Sequence, residues 1–436
     1  MKSLALLFGA GLLAGLSTHA LAWSNHSLGS LLALREVPEL RQEVTVEPLE
    51  SFLDDQAAAI ERLLDEQERH AREHFSYYPP RPDELRWQAD AAGDRRAAFL
   101  AALRINPEIR LASFIQQLPG QASGGRPLLR GEEVLVFHKV GPWTHWRYLA
   151  LQPGERVAAL QVLASAADEP DYGHDINLFS DNPGQAGQRY NFGPQPFGDA
   201  RFEYSSQAPF HIGYYHESAL IFAAAPYLAQ TLPHWRVYQY SGLARLAFAS
   251  GHPYWGYRFL GWAMHYLQDL TQPYHASVLP GVSTAGMVLI AAKEQVGFPE
   301  DREAAIQRVA DRHMAIEQYQ FDRMQALLNE GEARHPLLLA YGERDADGDY
   351  PAFDEDYAAG VVAAESNARA DELDALIGEW MARVAAQRGT VAKGFSEGNV
   401  LQPVDADPEL ERMLVELFRH FGAHSRNALR GNLPGD

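Results

Sequence analysis

Apolar residues recur at helical spacing through most of this chain. They run almost unbroken from Leu28 to Leu34. From Leu53 to Phe75 they return every three or four positions between charged residues, which predicts an amphipathic surface helix. Pro79, Pro80 and Pro82 break that pattern. The same period predicts helices over about 95–103, 216–228, 240–249, 255–270, 300–328, 357–386 and 408–423. The stretch from Pro119 to Gly125, with Pro-Gly and Gly-Gly pairs, reads as a flexible joint. Only from Glu132 to Leu163 does the pattern favour short strands, through Val134, Val136, Trp143, Trp146 and Tyr148. Repeated helices with few strands predict an all-α multi-helix bundle carrying a small β insertion near 132–163.

The first residues have a different character. Lys2, the apolar run from Leu4 to Leu16 and the ending Ala20-Leu21-Ala22 describe a secretory signal peptide cleaved after Ala22. The apolar run is shorter than the ~20 residues a spanning helix needs. An exported chain, periplasmic or secreted, is therefore expected, with no later transmembrane segment. Its length allows one large domain or two, and 46% apolar residues suffice for a sizeable core. There is no cysteine, so neither disulfides nor thiolate metal ligands are available. The formal net charge of −20 disfavours non-specific binding to nucleic acid. Bound divalent metals can reverse that sign locally.

The chemistry concentrates in Gly261-Trp-Ala-Met-His265-Tyr-Leu-Gln-Asp269-Leu-Thr-Gln-Pro273-Tyr-His275. His265 and Asp269 are four residues apart and so share one helical face. Pro273 disfavours further helix, and the turn can return His275 beside that face. His313 and Glu317 form a second pair of the same spacing. Imidazole and carboxylate are both good zinc ligands, and facing helices of a bundle are where such sites form. Solvated or hydrogen-bonded i,i+4 pairs are common, however, so spacing alone leaves metal binding and plain packing both open.

His265-Tyr-Leu-x-Asp269-x-x-Gln-Pro-x-His275, His313-x-x-x-Glu317 and a mature terminus at Trp23 together resemble the zinc-dependent phospholipase C and S1/P1 nuclease superfamily. The resemblance implies three zinc ions and a single phosphodiesterase domain over 23–436. It covers Trp23 to His26 and about Asp168 to Arg323, leaving residues 27–165 largely as an insertion. Trp23, through its freed amine and carbonyl, and His26 would hold one zinc, with Asp269 bridging to a second. His211, His265, Asp269 and Asp168 would hold that second ion. Asp168 would also fix the attacking water or take its proton. His275, His313 and Glu317 would hold the third. His216 competes with His211 for its place, and Asp171 competes with Asp168. Gln268 departs from the glycine usual in relatives, and the stretch between His275 and His313 is longer than is typical.

His-Tyr-Leu around His265 and His275-Ala276-Ser277 look more like the phospholipases C than the nucleases, so a phospholipid substrate at a membrane surface is the expected partner. A single-strand nuclease is the alternative, and a zinc-binding protein without turnover is the reading from another class. The apolar run Met287 to Ala292 is expected as a buried helix, with contact to a lipid interface as its competitor. His70 and His74 have metal-capable spacing but a solvent-facing setting. The acidic stretch Glu343 to Asp354 imitates a calcium loop poorly, and His138 and His145 lack carboxylates at ligand spacing.

Overall fold

The computed structural model describes residues 23, 25–117, 121–137, 146–198, 203–388 and 406–434. The expected signal peptide over 1–22 lies outside these residues, as do Trp143, His138, His145 and part of the expected joint at 119–125. The chain is 61% helix and 4% strand, which places it in the all-α class. None of the described helices is long and apolar enough to cross a membrane.

The N-terminal half carries α1 (His26–Leu34), α2 (Leu49–Asp55), α3 (Ala57–His74), α4 (Arg95–Leu103), α5 (Ala159–Ala166) and α6 (Ala186–Tyr190). Then come the short α7 (Ala208–His211) and α8 (Ala219–Ala224), the paired α9 (Pro233–Ala249) and α10 (Pro253–Asp269), and α11 (Pro273–Ala276). The C-terminal part is α12 (Thr284–Gln295), α13 (Glu300–Asn329), α14 (Pro336–Ala340), α15 (Ala363–Arg388) and α16 (Pro408–Asn432). Proline at the first position starts α9, α10, α11, α14 and α16, where its missing N–H costs nothing.

The stretch 132–163, where a small β insertion is expected, supplies two strands, Tyr148–Ala150 and Arg156–Ala158, and each belongs to a small antiparallel sheet completed from elsewhere in the chain. One pairs β1 (Glu43–Thr45) with β5 (Arg156–Ala158). The other has the order β2 (Phe114–Gln116), β4 (Tyr148–Ala150), β3 (Leu128–Leu129). Tyr148 is in a strand as expected, but Val134 and Val136 are not. They follow a 3-10 turn over Gly131–Glu133, and Val134 packs with Phe114, Leu135, Tyr148 and Tyr172 in a small satellite core. Their β-branched side chains serve burial rather than pairing. The expected helix over 216–228 shrinks to α8 and a 3-10 turn at Pro226–Ala229, because Pro226 stops it.

The helix α10 is the axis of the molecule. Every residue from Tyr254 to Asp269 is buried, and it packs on α9, α5 and α16. A helix apolar or enclosed on all sides belongs at the centre of a large core. That core is one continuous cluster from Trp23 to Leu429 and takes in much of residues 27–165. The approach of α10 to α5 depends on Gly261. A Cβ there would lie 2.5 Å from Ala166 Cβ and 2.7 Å from the Leu163 carbonyl oxygen. Gly261→Ala is expected to lower unfolding free energy by about 1–3 kcal/mol, as overpacking of a tight core does, read from denaturant or thermal melts.

Candidate metal centre

Three groups of metal-capable side chains converge around the C-terminal end of α10. They are His26, His265 and Asp269; Asp171, His211 and His265; and His275, His313 and Glu317. Within each group the ligand atoms lie within 4.8 Å of one another, and all of these residues are buried. Residues far apart in the chain meet because α1, the turn after α5, the end of α7 and α11 all abut this end of α10.

The imidazoles are held in defined tautomers. His265 Nδ1 lies 2.7 Å from the Ala167 carbonyl oxygen, and His275 Nδ1 lies 2.9 Å from that of His211. A carbonyl oxygen can only accept, so each Nδ1 carries the proton and each Nε2 presents a lone pair to the centre. At His26 the same task falls to Gln268. The Gln268 amide nitrogen donates to Ser30 Oγ at 2.8 Å and Ser425 Oγ at 3.0 Å, leaving Oε1 to accept from His26 Nδ1 at 2.9 Å. The departure noted in the sequence thus has a structural use.

The second group has the dimensions of a tetrahedral site once Asp269 is included. Oδ2 of Asp269 is 2.9 Å from His211 Nδ1 and 3.3 Å from His265 Nε2. Those two nitrogens are 3.1 Å apart, and Asp171 Oδ1 is 3.5 Å from His265 Nε2 and 3.7 Å from His211 Nδ1. A tetrahedral ion bound at about 2.0–2.2 Å needs donors about 3.3–3.6 Å apart. The other oxygen, Oδ1, is 3.4 Å from His26 Nε2, so Asp269 faces two groups at once. Neither Asp269 oxygen, nor His26 Nε2, makes an aligned hydrogen bond among the described residues, although all are fully buried. Buried polar atoms are costly to leave without a partner, and a cation among them answers the cost. In the third group His275 Nε2 and His313 Nε2 are 3.1 Å apart and Glu317 Oε1 is 2.7 Å from His313 Nε2.

Electrostatics follow burial. Burial holds His265 and His313 well below the usual imidazole value and brings His275 down to about 4, so these rings are neutral at pH 7. Burial raises Asp168 to about 6 and Asp171 to about 7. At His211 burial is outweighed by Asp269, Asp175 and Asp171, which push it up to about 10. Without a metal, an imidazolium proton at His211 supplies the positive charge that these carboxylates require.

The residues expected from sequence fall out as follows. His26, His211, His265, Asp269, His275, His313 and Glu317 all stand in the groups. Trp23 is buried against the same helix end, its indole N–H 3.1 Å from the Gln268 carbonyl oxygen and 2.9 Å from Thr271 Oγ1. His216 is exposed and turned away, its Nε2 2.7 Å from the Ala359 carbonyl oxygen. The aspartate in the groups is Asp171, not the favoured Asp168. Asp168 instead accepts from the Ser27 backbone N–H at 3.0 Å, tying the start of α1 to the turn after α5. Glu169–Tyr172 is a 3-10 turn, which stacks positions three apart on one face at different heights. Only the later aspartate reaches the metal groups.

Sequence reasoning passed over Asp175. Its Oδ2 is 3.6 Å from His211 Nε2 and accepts from Tyr266 Oη, while Oδ1 accepts from Arg236 at 2.5 and 3.1 Å. A carboxylate behind a histidine fixes the ring and raises its basicity. The only hint in the sequence is the crowding of Asp168, Asp171 and Asp175 into eight residues. His70 stacks on His74 and Tyr238, and its Nε2 pairs with Glu355 at 3.5 Å. In the acidic stretch, Glu343 pairs with Arg419 and Asp347 with Arg426, so its charges fasten α16.

No family model, curated protein or solved structure matches this chain.

Two outcomes are expected from this geometry. Asp171→Asn should lower the metal content of purified protein, measured by elemental analysis, whereas Asp168→Asn should leave it unchanged and lower the melting temperature. The second concerns pH. Protonated His211 stabilises the metal-free fold fully below its ordinary value of 6.5, and that contribution is lost as pH rises through about 10. Chelator-treated protein should therefore melt progressively lower across that window, while metal-loaded protein, whose charge comes from the ion, should not.

Proposed function

We propose that this protein is a zinc-dependent phosphodiester hydrolase of the phospholipase C type, holding three zinc ions. The observation that carries the reading is the shared buried carboxylate: Asp269 faces His26 on one side and His211 with His265 on the other, beside a third group of two imidazoles and a glutamate. A donor set of nitrogen and carboxylate oxygen, with no thiolate anywhere in the chain, suits zinc.

Clustered zinc supplies Lewis acidity, polarising phosphoryl oxygens and lowering the pKa of water to near 7. The protein's own residues provide the positions. His211, His265, Asp171 and Asp269 make a complete set of four around the second ion. Trp23 and His26, with the other oxygen of Asp269, would complete the first, which requires cleavage before Trp23 to free its amine. The third set, His275, His313 and Glu317, has three protein ligands and so keeps a position for substrate. That openness distinguishes a hydrolytic site from a structural one. Asp171, in place of the Asp168 first favoured, is the carboxylate able to orient a water against phosphorus. It borders a cleft beside the third group, so as a ligand of the second ion it would hold a water facing that cleft.

A lipid substrate is favoured over nucleic acid by the lining of that cleft. Among the described residues that line it, one arginine, Arg302, is present and is paired with Glu294 at 3.3 Å, so no row of cations among them tracks a polyphosphate backbone. Export, periplasmic or beyond, follows from the N-terminal pattern and is part of the proposal.

The test is metal analysis of protein beginning at Trp23, with turnover of a chromogenic phosphocholine ester, phosphatidylcholine vesicles and single-stranded DNA. Three zinc ions per chain and chelator-sensitive cleavage of the choline esters are expected, and one extra residue before Trp23 should remove one zinc. Preferential DNA cleavage would favour the nuclease, and zinc without turnover of any substrate would favour a non-catalytic protein.

A further inference from the structure

Each histidine of the third group is preceded in the chain by a residue that donates to one and the same buried carboxylate. Tyr274 stands before His275, and Arg312 stands before His313. Asp374, on α15 and 3% exposed, accepts from Tyr274 Oη through Oδ1 at 2.9 Å. Its Oδ2 pairs with Arg312, whose Nη1 also donates to the Asp374 carbonyl oxygen at 3.1 Å. Gly378, one turn further along α15, makes room for the guanidinium. A Cβ there would lie 2.6 Å from Arg312 Nη2 and 2.8 Å from its Cζ. The Tyr274 ring in turn lies nearly parallel to His313, with centroids 5.6 Å apart and planes 19° from each other.

The same helix holds the chain that follows His275. Asn367 donates to the Ala276 carbonyl oxygen at 2.9 Å, and Asp371 accepts from the Gly281 backbone N–H at 2.7 Å. Residues 367, 371 and 374 are spaced by four and three, so they share one face of α15. His275 and His313 reach the group from α11 and α13, and α15 packs on both helices. We propose that Asp374 is the positioning residue of the third metal group, setting the spacing of His275 and His313 through Tyr274 and Arg312. The inference rests on the metal reading above and is independent of the substrate. Donors that already wait at the right separation bind a metal tightly, and the outer partners that hold them there contribute about 10- to 100-fold in affinity.

Zinc affinity reads that role directly. Metal-free protein titrated with zinc against a competing chelator should bind three ions. Asp374→Asn should weaken one of them about ten-fold or more and leave the other two unchanged. Tyr274→Phe is the milder variant, because it keeps the ring against His313 and the Arg312 pair and removes only the hydroxyl. It should weaken the same ion by about three-fold, and in the Asp374→Asn background it should cost less than it does alone. In a Glu317→Ala background, where the third group lacks its carboxylate, Asp374→Asn should leave the two remaining ions unchanged. Wild-type affinities in both variants, or equal weakening of all three ions, would overturn the positioning role while the metal centre stands. A wild-type chain that binds no zinc would overturn the metal reading and this inference together.

Discussion

A carboxylate with no access to water sits at the middle of this molecule, ringed by imidazoles whose lone pairs point toward it. Asp269 is fully buried, with His26, His211 and His265 nitrogens 2.9 to 3.4 Å from its oxygens. Burial works against its ionisation, yet the surrounding histidines hold it well below the usual carboxylate range. Such a group is tolerable only with positive charge beside it. The fold answers this with positions for cations and, in their absence, with a proton on His211. Much of the remaining architecture serves to keep those ligands from turning elsewhere.

That service is visible in the shell behind the ligands. Asp175 is clamped by Arg236, which also donates to the Leu103 and Arg104 carbonyl oxygens. Glu169 is gripped by Arg258 and by the Trp262 indole N–H. The two arginines come from α9 and α10 and both carboxylates from the stretch 169–175, so the pairs fasten that stretch to the central helices. Buried ion pairs add little net stability against an apolar alternative, but breaking one leaves an unpaired charge. Their contribution here is position. Asp171 lies between the two clamped acids, and its distance to His211 depends on both.

The helical skeleton was legible in the sequence because period and punctuation agreed. The limits of α4 match the apolar pattern, and α10 and α13 carry His265–Asp269 and His313–Glu317 at the spacing that a helix makes adjacent. What stayed hidden depends on register and on distant partners. Asp168 and Asp171 differ by one turn of a 3-10 segment, and nothing local says which height faces the histidines. Gln268 looked like a departure behind the metals. Its role emerges only when Ser30, Ser425 and His26, from opposite ends of the chain, meet at its amide. Strand was expected at Val134 and Val136 as well as at Tyr148, where it forms, for a related reason, since β-branched residues report burial as readily as pairing. The apolar run of α12 reads as core, yet that helix buries no residue and Leu289 is 57% exposed. Sequence shows hydrophobicity but not whether a neighbour covers it.

The three metal groups do not rest on equal foundations. Those sharing Asp269 draw on α1, α10 and the clamped stretch after α5, all inside the continuous core. The third joins His275, on α11, to His313 and Glu317, on α13, whose first two turns bury no residue and which leans on the uncovered α12. The hold on α13 comes from the later turns, where Met314, Ala315, Ile316 and Tyr319 lie in the core, so the uncovered first turns are the weaker part. An ion shared by His275, His313 and Glu317 would add to that hold at the point where α13 enters the core. The same helix contributes Val309 and Met314 to the cleft. A metal at that position would thus link two properties that otherwise have separate origins: the charge at the floor of the cleft and the shape of the wall beside it.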